Sequence, residues 1–169
     1  FYRPEDFPPL RPDFPVLVKM NCSDFLPKGL EFSEAVAVAG LLAKEGACAV
    51  EVSGGTFVSG DLSPTRTRIT SQDKEAYFRD SAKAIKGAAE LKVILVGGVR
   101  SPDLAEELIR KGYCDFISMS RPFIREPDLV MRWKNGDTRR AACLSDNLCF
   151  GPARAGEGIY CVVERRARE

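Results

Sequence analysis

The sequence predicts an α/β fold of four βα units with parallel strands, on three observations. Short apolar runs alternate with amphipathic stretches four times over. Each run stops at glycine or at small polar and basic residues instead of fading into a loop. The spacing between runs leaves room for one crossover helix each, the signature of parallel βαβ connections. The chain has 169 residues, 44% hydrophobic content and a formal net charge of +1, enough apolar mass for one globular core.

The first apolar run is Pro15 to Met20. A helix is expected from about Ser33 to Glu45, because Ala35, Val38, Ala39 and Leu42 recur at i, i+3, i+4, i+7; Ser33 is the expected N-cap and Gly46 the stop. The second run, Cys48 to Ser53, ends in Gly54 and Gly55. After a long polar loop, a helix from about Gln72 to Glu90 repeats the pattern with Phe78, Ala82, Ile85 and Ala89.

The third run is Lys92 to Val96, followed by Gly97 and Gly98. Ser101, Pro102 and Asp103 then combine an N-cap hydroxyl, proline at N1 and an acid in the first turn. The resulting helix presents Ala105, Leu108 and Ile109 and halts at Gly112. The fourth run, Cys114 to Met119, precedes a helix near Pro127 to Lys134. Four βα units are half of an eight-stranded barrel, or they form a small open sheet; periodicity alone does not choose.

In parallel α/β folds ligands bind at the C-terminal ends of the strands, and here those ends carry Lys19 and Asn21, Ser53 to Gly55, Gly97 and Gly98, and Ser120 and Arg121. Glycine N–H groups ahead of a helix donate to anions without side-chain obstruction. In barrels the phosphate site follows strands seven and eight, the places of Gly97-Gly98 and Ser120-Arg121 if these units form a second half. Lys19 interrupts a run expected to be buried, where an unpaired charge costs several kcal/mol, so it should meet an anion or reach the rim. The loop from Thr56 to Ser71, with Arg66 and Arg68, is expected to overhang that rim.

Composition excludes several functions. A net charge of +1 offers no basic excess for nucleic acid and no polybasic stripe for anionic lipid. No run approaches the roughly 20 apolar residues of a membrane helix, and Phe1-Tyr2-Arg3-Pro4 has neither a signal h-region nor an initiator Met. The expectation is a cytoplasmic piece of a longer protein, with a small-molecule substrate as its partner. The absence of histidine removes the commonest general acid/base. Of six cysteines, Cys22, Cys48 and Cys114 adjoin apolar runs and read as core; Cys143, Cys149 and Cys161 cluster near the C-terminus.

The segments VLVKMNCSDF (16 to 25), VEVSGGT (50 to 56), EAYF (75 to 78), VILVGGVRSPDLAEELI (93 to 109) and DFISMSRPFIREPDL (115 to 129) resemble the Old Yellow Enzyme-like NADH:flavin oxidoreductases, in particular the 2,4-dienoyl-CoA reductase branch. The resemblance covers nearly everything beyond residue 13. It implies the C-terminal half, four βα units, of a TIM (β/α)8 barrel with FMN at its C-terminal rim. Lys19 would then stand beside flavin N1 and O2, and Gly97, Gly98, Ser120 and Arg121 would bind the FMN phosphate. Ser120 stands where the family more often has glycine. Such enzymes take hydride from NAD(P)H onto the flavin and pass it to an activated alkene or similar acceptor.

The family's substrate-holding histidine pair lies in the first half, so no catalytic residue is expected in this chain and its activity alone is doubtful. The chain divides into a lead-in (1–14), the half-barrel FMN-binding units (15–135) and a Cys-containing extension (136–169) that is compositionally distinct and expected to be loosely ordered. Some members carry a [4Fe–4S] cluster just past the barrel. Here Asp146 falls where the second cysteine would stand beside Cys143, Cys149 and Cys161, so a degenerate iron–sulfur site with free or oxidised thiols is expected in place of an intact cluster. A non-catalytic flavin- or phosphate-binding half-barrel, completed by homo-oligomerisation or by a separate N-terminal half, is the alternative function. A sugar-phosphate barrel is a third reading, against which Lys19 and the SRPF motif argue.

Overall fold

A computed structural model of the chain describes residues 14–168, so nearly all of the lead-in lies outside the described residues. Four parallel strands, β1 (Leu17–Asn21), β2 (Ala49–Ser53), β3 (Lys92–Leu95) and β4 (Phe116–Ile117), pair in the order β1-β2-β3-β4. Each strand lies beside its successor in sequence. A doubly wound sheet would reverse direction at a switch point; an unbroken 1-2-3-4 order is that of a barrel wall.

The register sets the two faces. Val18, Val50 and Val93 align across one row, and Met20, Val52, Leu95 and Ile117 across another. These rows meet the helices α1 (Phe32–Lys44), α2 (Arg79–Ala88) and α3 (Pro102–Arg110), whose Ala39, Ala82, Ile85, Leu104 and Leu108 complete one apolar core. The intervening row, Lys19, Glu51, Ile94 and Phe116, faces away from the helices, with Phe116 and Lys19 exposed. In a closed (β/α)8 barrel that face is the packed interior. The fold is thus the C-terminal half, four βα units, of a TIM barrel, with its inner face uncovered.

Several local expectations change. The helix expected from Gln72 begins only at Arg79; Gln72–Lys74 form a 3₁₀ turn, and Ala76 sits at φ 51°. A left-handed residue cannot belong to a right-handed helix, and it is tolerated because it turns Glu75 into the core. α1 is capped at Glu31, whose N–H donates to the Glu34 carboxylate at 2.8 Å, not at Ser33. Val38 and Ile109 are exposed while Ala35 and Leu104 are buried, a small rotation of both helix faces. Gly46 and Gly112 end α1 and α3 with φ of 85° and 73°, as read from the sequence.

Cys48 is exposed, unlike buried Cys22 and Cys114, because it precedes the part of β2 that the helices cover. The fourth apolar run pairs only over Phe116–Ile117, and a short helix α4 (Arg121–Arg125) starts within the SRPF motif, ahead of α5 (Leu129–Lys134). Beyond residue 135 the extension carries α6 (Phe150–Arg154) and α7 (Val162–Arg166) and lies across the strand ends, held by Ala141 N–H donating to Arg100 O at 2.8 Å. It packs through polar bonds that leave no apolar period to read.

Candidate functional site

The C-terminal strand ends surround a cavity of about 240 Å³. Lys19 from β1, Gly98 after β3, and Ser120 and Arg121 at the head of α4 all line it. Four of the five residues singled out for a cofactor thus converge on one space, although up to about a hundred residues of sequence separate them. Gly97 is not among the residues that line it.

Lys19 is not buried: its side chain is 58% exposed and ion-paired with Glu51 on the neighbouring strand. The alternation of β1 puts it on the uncovered inner face, so no desolvation has to be offset there. Glu51 holds the ammonium over the sheet, a partner the sequence pattern did not single out.

The glycine pair answers first to the protein itself. Gly97 and Gly98 take φ of 135° and 78°, and a Cβ on Gly98 would lie 2.7 Å from Tyr77 Cε1. On Gly97 it would lie 3.1 Å from Phe78 Cδ2. The rings of Tyr77 and Phe78, packed edge to face at 4.7 Å, therefore press onto the glycine backbone. The Tyr77 hydroxyl donates to Pro64 O at 2.8 Å, fixing the ring.

Behind that loop lies Glu75, fully buried and accepting four hydrogen bonds. Its Oε2 takes the N–H groups of Arg100 (2.6 Å) and Ser101 (2.9 Å). Its Oε1 takes the Ser101 hydroxyl (2.9 Å) and Arg140 Nε (2.7 Å). Ser101 does precede α3 as expected, but its hydroxyl serves Glu75 and leaves the helix uncapped by a side chain. One carboxylate thereby ties the long loop, the glycine loop and the extension together.

Two guanidinium groups are buried at the rim. Arg100 donates to Val99 O at 2.7 Å and Ser145 Oγ at 3.1 Å, and its Nε is buried without a partner. Burial pushes its pKa down; the Cys143 thiol opposes this and the Arg121 charge adds to it. Arg121 NH1 donates to Arg66 O (3.0 Å) and Asn147 Oδ1 (2.5 Å). Asn147 in turn donates to Thr65 O at 2.8 Å. Among the described residues neither arginine has a carboxylate partner, yet both line the cavity. Two buried, uncompensated cations facing one space call for an anion.

Cys143, Cys149 and Cys161 border a second, much smaller space together with Asp146, and burial pushes the Cys149 thiol pKa up. All three are free, and among the described residues no three Cys, Asp or Glu side chains come close enough to hold one metal ion. Three thiols and a carboxylate also supply one soft ligand fewer than a [4Fe–4S] cluster takes. The residues present do not fit that group. They do fit FMN in donor chemistry: cations and a hydroxyl for a phosphate ester, and a further cation on the inner face.

Glu75, Arg100 and Asn147 were missed as site residues. The signal for Arg100 was available, a charge directly after a glycine loop at a strand end. Asn147, at φ 62° in an aperiodic stretch, left none.

The sequence profile of the NADH:flavin oxidoreductase / NADH oxidase family matches residues 11–139. The chain belongs to this family of oxidoreductases. It is 27% identical over 171 residues to an NADH oxidase of Thermoanaerobacter brockii, covering 90% of this chain and 25% of that protein. It is 31% identical over 137 residues to a bilirubin reductase of Mediterraneibacter gnavus, covering 80% and 21%. Among solved structures, a 2-naphthoyl-CoA reductase in complex with 2-naphthoyl-CoA superimposes with a TM-score of 0.73 at 20% identity, over 90% of this chain and 23% of that one. The chain therefore spans about a quarter of the length of these relatives. No helix among the described residues is long and apolar enough to cross a membrane.

Proposed function

We propose that this chain is the flavin-phosphate half of an FMN-dependent NAD(P)H oxidoreductase, which reduces an activated alkene or similar small-molecule acceptor. One observation carries the reading: buried Arg100 and Arg121 line the same cavity as Lys19, Gly98 and Ser120, and among the described residues no carboxylate neutralises them. Bound there, FMN would relay hydride from NAD(P)H to the acceptor.

Each residue then has a task. Arg121 binds the phosphate through Nε and NH2, since NH1 is spent on Arg66 O and Asn147. Ser120 donates from its hydroxyl, and Gly97 and Gly98 keep the loop backbone close to the cavity. Lys19, tethered by Glu51, places positive charge beside the electron-rich pyrimidine edge and stabilises negative charge developing there. Acid–base chemistry on the acceptor falls to residues outside this half. Cys143, Cys149 and Cys161 are assigned no metal.

The uncovered inner face favours a second form of the same reading. Leu17 and Phe116, more than half exposed, would be buried if a second half, from another copy or a separate chain, closed the barrel. The half-barrel would then bind flavin and act only when completed.

The test is a visible spectrum of the purified chain after FMN addition and gel filtration. A retained flavin band, lost in Arg121→Met, supports the site, and elution at about twice the chain mass supports completion by pairing. A chain that stays colourless at every FMN concentration, as monomer and dimer, would refute the flavin reading.

A further inference from the structure

Segment 143–149 of the extension has a thiol at each end, and both buried arginines of the cavity are tied to its middle. Arg100 NH2 donates to Ser145 Oγ at 3.1 Å and, more weakly, to Cys143 Sγ at 3.7 Å. Arg121 NH1 donates to Asn147 Oδ1 at 2.5 Å, and Asn147 donates onward to Thr65 O at 2.8 Å. Ser145 and Asn147 take φ of 57° and 62°, left-handed values that non-glycine residues keep only where their surroundings fix them. These turns bring Cys143 and Cys149 round to one small space, which Arg121 and Asn147 also line. Both thiols are free; Cys143 is partly exposed and Cys149 is buried.

A partly exposed thiol facing a protected one is the arrangement in which the outer sulfur meets an oxidant and the inner one resolves it. The loop between them is short and already folded back, so closing it removes little further chain entropy. Cys149 lies near enough for charge on Cys143 to push its pKa up, after burial, the larger cause. Cys161 borders the same space from the start of α7, beyond α6. We propose that Cys143 and Cys149 form a disulfide with hydrogen peroxide as oxidant, and that this bond loosens Arg100 and Arg121 and so weakens phosphate binding in the adjoining cavity. Cys143 sulfur attacks the peroxide O–O bond, giving a sulfenic acid and one water. Cys149 sulfur then attacks that sulfur, its S–O bond breaks, and a second water leaves. The two thiols together lose two electrons and two protons, which the peroxide takes up. The bond draws the two sulfurs from non-bonded separation to about 2 Å. Ser145 and Asn147, caught between the converging ends, are pulled from the guanidinium groups they hold. The effect on phosphate binding rests on the flavin reading of the cavity; the disulfide itself does not.

The test treats the reduced 169-residue chain with peroxide, maps it by non-reducing tryptic digestion and titrates FMN by fluorescence, with Cys149→Ser and Cys161→Ser as variants. Trypsin leaves both cysteines on one peptide, 141–154, so the bond appears as that peptide lighter by two hydrogens and joined to no other. The expected result is an FMN Kd raised about tenfold or more on oxidation and restored by dithiothreitol. The rise should vanish in Cys149→Ser and persist in Cys161→Ser, and a thermal melt confirms that both variants fold. A bond from Cys143 to Cys161, no bond at all, or an oxidised chain that binds FMN as tightly as the reduced one overturns the switch and leaves the flavin reading standing. Limited tryptic cleavage after Arg66 gives a readout that needs no flavin, because Asn147 and Arg121 hold Thr65 O and Arg66 O. Faster cleavage of the oxidised chain, in a protein that never takes FMN, upholds the switch and removes the flavin reading. Unchanged cleavage in such a protein overturns both.

Discussion

Removing the Glu75 carboxylate should unhinge the rim. In Glu75→Ala, the buried N–H groups of Arg100 and Ser101 lose the oxygen that accepts both. An unsatisfied buried donor costs about 1–3 kcal/mol. Arg140 also loses its carboxylate, but it is 33% exposed and recovers part of its solvation from water. The sum is a loss of about 3–6 kcal/mol, set against a total stability on the order of 5–15 kcal/mol. Glu75→Gln keeps one oxygen for the two backbone donors and turns its amide toward Ser101 Oγ, which can accept. Only Arg140 is then left facing a donor, so about 1–3 kcal/mol is expected. Urea unfolding followed by circular dichroism measures both, and hydrogen exchange at the Arg100 and Ser101 amides should accelerate in the alanine variant more than in the glutamine one. If Glu75→Ala lost less than about 1 kcal/mol, or if the two variants were equally damaging, the view that this carboxylate satisfies buried backbone donors would be wrong.

Gly98→Ala combines a left-handed backbone with a ring 2.7 Å from the new methyl, a cost of about 2–4 kcal/mol; the melting temperature should fall by roughly 5–15 °C, and an unchanged melt would show that Tyr77 does not hold that position. Thiol labelling with a disulfide reagent at pH 8 should modify Cys48 at once and Cys22 and Cys114 only after unfolding. Burial pushes the Cys114 pKa up to about 11, so only about one molecule in a thousand carries its thiolate at that pH; rapid labelling of Cys114 would contradict its burial. At Asp115, burial raises the carboxyl pKa but the Lys86 ammonium at 2.6 Å and the Val93 N–H more than offset it, so the folded value lies below normal. The stabilisation is complete above the unfolded pKa of about 3.9 and is lost as the pH falls through the folded value. Asp115→Asn should flatten that acid limb, and an unchanged limb would remove the pair from the account.

The four parallel βα units and the convergence of their strand ends on one rim agree with the apolar periods and turn residues; the half-barrel order and its uncovered face agree with what the family resemblance implied. What neither could convey is visible at Lys19. From the sequence it is a charge inside an apolar run that must meet an anion or reach the rim; in the fold it does both, but on an open face where it is not buried, with Glu51 beside it. Burial of a strand residue depends on which layers cover each face, and a half-barrel leaves one face bare. The start of α2 is a similar case: the apolar period from Phe78 to Ala89 is correct, while Gln72 to Ala76 have helix-compatible residue types but are pulled out of the helix by bonds to Arg100 and Ser101.

By itself, then, the sequence determined the alternation of strand and helix, the glycine stops at Gly46 and Gly112, and the set of rim residues from Lys19 to Arg121, since each depends on neighbours within a turn or two. Only the tertiary structure decided that Tyr77 leans on Gly98, that Glu75 gathers Arg100, Ser101 and Arg140, and that Asn147 braces Arg121. Those partners lie between 21 and 65 residues apart. Buried polar groups must find acceptors wherever the chain brings them, and no local period records which distant residue will supply one.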